Sequence, residues 1–291
     1  MSVISTWGFS QSACDLCVER LTRHCDPIDD VVEAVVNAVE LVEADPAVHS
    51  VGSFSYPNRS GFAQLDAAII AVGDGVHKCG SVMALEGYRG AIAAARLVMD
   101  KCQHNILVGE GARHFLEEQG LPAMPRESVE VFTDVDGPAG DPSGFSHDTV
   151  GIVALSGHAM CVGCSTSGMR AKCPGRVGDS PLFGSGIYAQ VDAGGAVCTG
   201  DGDLICTVPL AFTVVSLMKN QKRSPSDACR EAIEEFLSMP HIPSNVEVAV
   251  IAMDFSGQVG AWCSPNLKKI FQFCTGGAGE FPTSSAVRFV D

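Results

Sequence analysis

The chain has 291 residues, 46% apolar and 18% charged, enough to bury a sizeable core as one large domain or two small ones. Its 34 acidic against 19 basic side chains give a formal net charge of −15, a field that repels phosphate backbones and excludes nucleic acid as a natural partner. No apolar run reaches the roughly 18 residues of a membrane span, and the first residues lack the basic and apolar regions of a secretory signal.

Residues 2–6 read as a short strand followed by a Trp7-Gly8-Phe9 loop. Residues 11–24 have helical spacing, with Cys14, Cys17, Val18 and Leu21 on one face. Asp26-Pro27 caps a second helix whose apolar stripe is Val32, Val35, Val36, Val39 and Val42. Its other face, Glu33, Asn37, Glu40 and Glu43, is expected to meet water. After a loop over 51–62, the run 65–72 is a strand that turns through Gly73-Asp74-Gly75 into a second at 76–83. A helix over 88–101, a strand over 105–108 and a helix over 111–119 follow, and residues 120–148 form a solvated linker rich in Pro, Gly, Asp and Ser. Beyond Thr149, segments 150–155 and 158–163 are strands joined by a Ser156-Gly157 turn. Residues 175–186 are glycine-rich and irregular, and a strand at 194–198 leads into Thr199-Gly200-Asp201-Gly202-Asp203. The apolar segment 204–218 ends in helical spacing, Ser224-Pro225-Ser226-Asp227 starts a capped helix to about residue 237, and strands at 246–253, 257–263 and 270–274 complete the chain. Hairpins of sequence-adjacent strands with helices outside make an α+β class of packed antiparallel sheets, without an internal repeat.

Thirteen cysteines are spread from Cys14 to Cys274 through apolar stretches, which reads as buried free thiols in a reducing compartment. Cys14/Cys17 and Cys161/Cys164 have CxxC spacing, but the first pair fits a helix face, and neither zinc nor any other metal or cofactor is expected. The Asn58-Arg59-Ser60 sequon reads as chance in a chain without a secretion signal.

Chemistry gathers at His147-Asp148-Thr149. Taken alone, the segment is a linker meeting a strand with an ordinary threonine. The other reading is a buried N-terminus: a threonine hydroxyl is a weak nucleophile that needs a base, and a freed α-amine of pKa about 7.7–8.0 would be one. The surrounding motifs support the second. His147-Asp148-Thr149-Val150-Gly151, Ser165-Thr166-Ser167-Gly168, Gly175-Arg176-Val177-Gly178-Asp179-Ser180-Pro181 and Thr199-Gly200-Asp201-Gly202-Asp203 resemble, in order and spacing, the glycosylasparaginases of the N-terminal-nucleophile (Ntn) amidohydrolases. Weaker matches at Thr6-Trp7-x-Phe9, Ser50-Val51-Gly52, Leu65-Asp66-Ala67 and Leu107-Val108-Gly109-Glu110 extend the resemblance over nearly the whole chain.

The resemblance implies a single domain over 1–291 with a four-layer αββα sandwich. It also implies self-cleavage after Asp148 into an α chain, 1–148, and a β chain, 149–291, and a homodimer of that αβ unit. Thr149 would be the nucleophile, and Thr166 would orient its oxygen. Arg176 and Asp179 would grip the α-carboxylate and α-amine of a glyco-asparagine substrate, and charge complementarity agrees. Thr199 and Gly200 would form the oxyanion hole. Val177, Gly178, Asp201 and Gly202 would line the substrate site, and Trp7 with Phe9 would flank its mouth. The chain departs from the family at Phe54-Ser55, where Gly-Gly is common, and this bears on the leaving group. Two rivals stand beside the glycosylasparaginase reading: the isoaspartyl peptidase/L-asparaginase branch, disfavoured by Asp148 and Thr6-Trp7, and an uncleaved, silent binding protein. The missing signal and the free thiols favour a cytoplasmic location, whereas family members in lysosomes pull the other way.

Overall fold

The structure is a computed structural model that describes residues 1–23, 28–52, 54–124, 148–267, 271–277 and 280–287. The expected Asp26-Pro27 cap, His147 and most of the linker lie outside the described residues.

The first half contributes β1 (Ser2–Thr6), α1 (Gln11–Arg23), α2 (Ile28–Glu43), β2 (Leu65–Gly73), β3 (Val76–Leu85), α3 (Ile92–Lys101), β4 (Ile106–Val108) and α4 (Gly109–Glu118). The second contributes β5 (Val150–Ser156), β6 (Ala159–Thr166), β7 (Ile187–Gln190), β8 (Gly194–Gly200), α5 (Gly202–Ile205), α6 (Leu210–Gln221), α7 (Pro225–Ser238), β9 (Val248–Asp254), β10 (Val259–Cys263), β11 (Phe271–Gly277) and β12 (Glu280–Val287). They build an eight-stranded sheet, β12-β11-β1-β5-β6-β2-β3-β4, and a four-stranded sheet, β10-β9-β8-β7. Every pairing is antiparallel except β3 with β4.

Strand alternation separates three apolar layers. Ile69, Ile152 and Ala154 pack with α1–α4, while their neighbours Ile70, Val153 and Leu155 face the second sheet. In the smaller sheet Ala249, Ile251 and Met253 look inward, and Val248, Val250 and Ala252 pack with α6 and α7. Helices, sheet, sheet, helices is the αββα order that the resemblance implied. Central strand β2 is buried along its whole length, which is why it reads as a continuous apolar run.

Several local expectations hold. Asp74 and Gly75, with φ of 49° and 78°, make the tight β2–β3 turn, and Ser224 Oγ accepts from Asp227 N at the start of α7. Cys14, Cys17, Cys161 and Cys164 are buried free thiols. Asn58 is only 4% exposed and its Oδ1 accepts from Ser60 N and Phe62 N, so the sequon amide is folded inward.

Others need correction. Strands β7 and β12 had no counterpart in the sequence pattern: the first has four residues, and the second is an edge strand containing a proline, which only an edge tolerates. Glu43 does not face water. It is 2% exposed, and its Oε1 accepts from Ala91 N (2.8 Å), Ile92 N (3.0 Å) and Ser165 Oγ (2.6 Å), satisfying orphan donors at the start of α3. Burial nevertheless pushes its carboxyl up to about 7, against the pull of those donors. The folded chain therefore binds a proton that the unfolded chain releases between about pH 4.5 and 7, so this contribution to stability falls as pH rises through that window. Glu43→Gln, which keeps the acceptor and mimics the protonated form, should melt above the wild type at pH 8 and lose that advantage at pH 5. The expected difference is on the order of 3 kcal/mol, read from unfolding followed by circular dichroism.

Candidate active site

The ends of four strands converge where the two sheets meet. Thr149 immediately precedes β5, Thr166 ends β6, Thr199 and Gly200 end β8, and Thr6 ends β1. Because β1 lies between β11 and β5, the first residues of the chain reach the middle of it: Thr6 Oγ1 donates to Thr149 O (2.6 Å) and accepts from Gly151 N (2.8 Å).

Thr149 is 3% exposed and held at both of its polar ends. Its backbone N–H donates to Thr199 Oγ1 at 3.0 Å, and its Oγ1 lies 3.0 Å from Ser180 Oγ. Thr199 Oγ1 also accepts from Trp7 Nε1 at 3.2 Å. Trp7, expected at the pocket mouth, is instead buried, edge-on to Phe271 with ring centroids 5.1 Å apart. Its φ of 62° is a strained value for so bulky a residue, the kind of conformation that costs about 1–3 kcal/mol and persists only where surroundings impose it. Here the imposing contacts are the indole bond to Thr199, the ring of Phe271 and the bond from Ser10 N to Trp7 O.

Thr166 stands at the same end of the β5–β6 hairpin, one step beyond the Val150–Ser165 pair. Its hydroxyl accepts from Gly168 N (3.0 Å) and lies 3.5 Å from Ser50 O. Among the described residues, the hydrogen-bond partner of Thr149 Oγ1 is Ser180 Oγ.

Arg176, Val177, Gly178 and Asp179 follow one another on a single loop, with Val177 half-buried and Gly178 buried. Arg176 Nε bonds Asp203 Oδ1 at 2.9 Å, and its guanidinium sits in a space that side chains would fill. A Cβ on Gly168 would lie 2.6 Å from Nη1, one on Gly178 3.0 Å from Nη1, and one on Gly202 3.2 Å from Nη2 and 2.7 Å from Asp179 Oδ1. Guanidinium and carboxylate thus flank the same bare stretch of backbone at the start of α5. The loop is pinned from the side: Lys172 Nζ donates to Gln64 O and Gly175 N to Gln64 Oε1, and buried Lys172 faces buried Asp66 at 3.5 Å. Burial lowers the Lys172 pKa, with Asp66 opposing that shift.

Asp179 is 3% exposed, and its Oδ2 has no hydrogen-bond partner among the described residues. Burial raises its carboxyl to about 7, although its own and Ser180's backbone N–H groups and the Arg176 charge pull the other way. An orphaned, buried carboxylate oxygen beside a guanidinium is matched to a ligand carrying an ammonium and a carboxylate on one carbon. Gly200 has a φ of 129°, and a Cβ there would stand 2.2 Å from Glu247 O, so this position next to Thr199 requires glycine. Asp201 serves as N-cap of α5, its side chain accepting from Leu204 N. Asp148 is half-buried.

A family model described as "Asparaginase" matches residues 10–279. The chain is 35% identical over 272 residues to an N(4)-(β-N-acetylglucosaminyl)-L-asparaginase of Elizabethkingia miricola, covering 90% of this chain and 78% of that protein. It is 33% identical over 291 residues to an isoaspartyl peptidase of Salmonella typhimurium, covering 93% and 88%. It is 31% identical to the N(4)-(β-N-acetylglucosaminyl)-L-asparaginase of Mus musculus over 302 residues, covering 90% and 84%. With a family match across nearly its full length and the αββα sandwich to go with it, the chain belongs to the asparaginase family of amidohydrolases.

Proposed function

We propose that the chain is a self-processing amidohydrolase that cleaves the side-chain amide of N4-(β-N-acetylglucosaminyl)-L-asparagine, releasing L-aspartate and an aminosugar. One observation carries the reading: Thr149 sits with its nitrogen on Thr199 Oγ1 and its oxygen on Ser180 Oγ, at the strand ends beside Arg176 and Asp179. In the uncut chain Thr149 Oγ1 attacks the Asp148 carbonyl carbon, and the C–N bond breaks as the nitrogen takes up the hydroxyl proton. Water hydrolyses the resulting ester, giving the Asp148 carboxylate and a free Thr149, hence chains 1–148 and 149–291. The new α-amine then accepts the hydroxyl proton while Oγ1 attacks the substrate's side-chain carbonyl. Thr199 and Gly200 N–H hold the developing oxyanion. The amine product leaves with that proton, and a water activated by the same α-amine hydrolyses the acyl-enzyme. Arg176 takes the substrate's carboxylate, and Asp179, with its unpartnered Oδ2, takes the ammonium.

The pH profile follows. A protonated Asp179 cannot hold the ammonium, and a protonated Thr149 amine cannot act as base, so kcat/KM falls as pH drops through about 7. Its logarithm should steepen towards a slope of about two, whereas log kcat, recorded with the ammonium already on Asp179, should keep a slope of about one.

A second reading, hydrolysis of β-aspartyl peptides, is favoured by the loop next to Thr166. Ser50 O accepts from Ser167 N (2.8 Å), and the same loop carries Phe54, 51% exposed, and Tyr56, with Arg170 5.5 Å above its ring. A cationic, aromatic rim suits the carboxylate of a peptide leaving group. Assaying purified protein on both substrates decides: turnover of the glyco-asparagine supports the first reading, and turnover of β-aspartyl dipeptides alone reverses the choice.

A further inference from the structure

We propose that Ser180 is a catalytic residue of this site, holding the Thr149 hydroxyl for self-cleavage and then for amide hydrolysis. The inference rests on Thr149 being the nucleophile. Ser180 Oγ, 3.0 Å away, is the one hydrogen-bond partner of Thr149 Oγ1 among the described residues. Among the described residues no side-chain base bonds the Thr149 hydroxyl before cleavage: the Thr149 nitrogen is an amide that donates to Thr199, and the Thr166 hydroxyl bonds Gly168 and Ser50. A threonine hydroxyl free to rotate presents a lone pair to the neighbouring carbonyl only part of the time. Accepting its hydrogen bond fixes that direction.

The framework holds Ser180 in place from several sides. It is 1% exposed, Cys164 Sγ donates to its carbonyl at 3.0 Å, and Ser81 Oγ donates to the next carbonyl, that of Pro181, at 2.8 Å. Leu182 N closes a turn onto Asp179 O at 2.9 Å, and the Ser180 N–H donates to the Asp179 carboxylate. Ser180 therefore bonds the nucleophile through its side chain and the carboxylate beside Arg176 through its backbone. Once the α-amine is released it can take over the proton, so the hydroxyl of Ser180 matters most while the chain is uncut.

Full-length Ser180→Ala, Ser180→Cys and Thr149→Ala proteins test this, followed by denaturing gel, thermal melt and hydrolysis of a chromogenic L-aspartyl β-anilide. Ser180→Ala should self-cleave about ten- to hundredfold more slowly at near-wild-type Tm, and its matured form should lose kcat by a smaller factor with KM nearly unchanged. If Ser180→Ala loses its fold, Ser180→Cys, with a larger and only weakly hydrogen-bonding thiol in place of the hydroxyl, carries the same expectation. Wild-type cleavage and turnover in a folded Ser180 variant would overturn the proposal, as would a loss confined to KM. A Thr149→Ala protein that still hydrolyses the anilide marks failure of the underlying reading instead.

Discussion

Thr149→Ala should remain one intact chain after prolonged incubation and should hydrolyse neither glyco-asparagine nor β-aspartyl peptide. The expected loss is about 10⁴-fold or more, the scale seen when a nucleophile is removed from a site whose other parts stay intact. The fold should survive, because among the described residues the side-chain oxygen makes a single hydrogen bond, to Ser180, worth about 1 kcal/mol. A denaturing gel and a melt measure both. Thr149→Ser should restore cleavage and turnover at reduced rates, since it keeps the hydroxyl and loses the β-methyl that restricts its rotamer. A single band in both the wild type and the alanine variant would favour the silent binding protein.

Arg176→Ala carries the second large effect, and it separates the two reactions. The guanidinium sits against Gly168, Gly178 and Gly202 and is tied to Asp203, remote in role from the Asp148–Thr149 bond. Self-cleavage should therefore run near the wild-type rate, while kcat/KM for the amino-acid substrate falls by about 10²–10³, mostly through KM. This corresponds to losing two charge-assisted hydrogen bonds of about 1.5–3 kcal/mol each, less what water returns. Arg176→Lys should recover little, because an ammonium cannot present a planar fork to a carboxylate. Loss of the Arg176 charge also removes one of the groups pulling Asp179 down, so the acidic limb of kcat/KM should move to higher pH. Steady-state kinetics across pH on the matured variant measures this.

Much of the site could be read from the chain because it is written in compact blocks. Arg176 to Asp179 and Thr199 to Gly202 each lie within four residues, and a short segment keeps its spacing whatever the fold around it. Contacts between blocks are another matter. Ser180 follows Asp179 and precedes a proline, so locally it reads as a turn residue. Its bond to Thr149 exists only because β5 and the 176–181 loop meet at the sheet ends. The Trp7–Thr199 bond spans 192 positions and depends on β1 inserting between β11 and β5. Glu43 shows the complementary failure: helical spacing put it on the polar face of α2, but a pattern within one helix holds no information about another helix starting against it. Hairpins of sequence-adjacent strands with helices outside, by contrast, predict packed sheets, and packed sheets are present, while their four-layer order followed from the resemblance.

The central claim is that Thr149 becomes an N-terminus. Intact-mass measurement and N-terminal sequencing of the purified wild-type chain after incubation at neutral pH test it most directly. Two fragments should appear, one ending at Asp148 and one beginning Thr149-Val150-Gly151, in step with the rise of amidase activity. Full activity from an uncut chain, or a new N-terminus at any other residue, would contradict it.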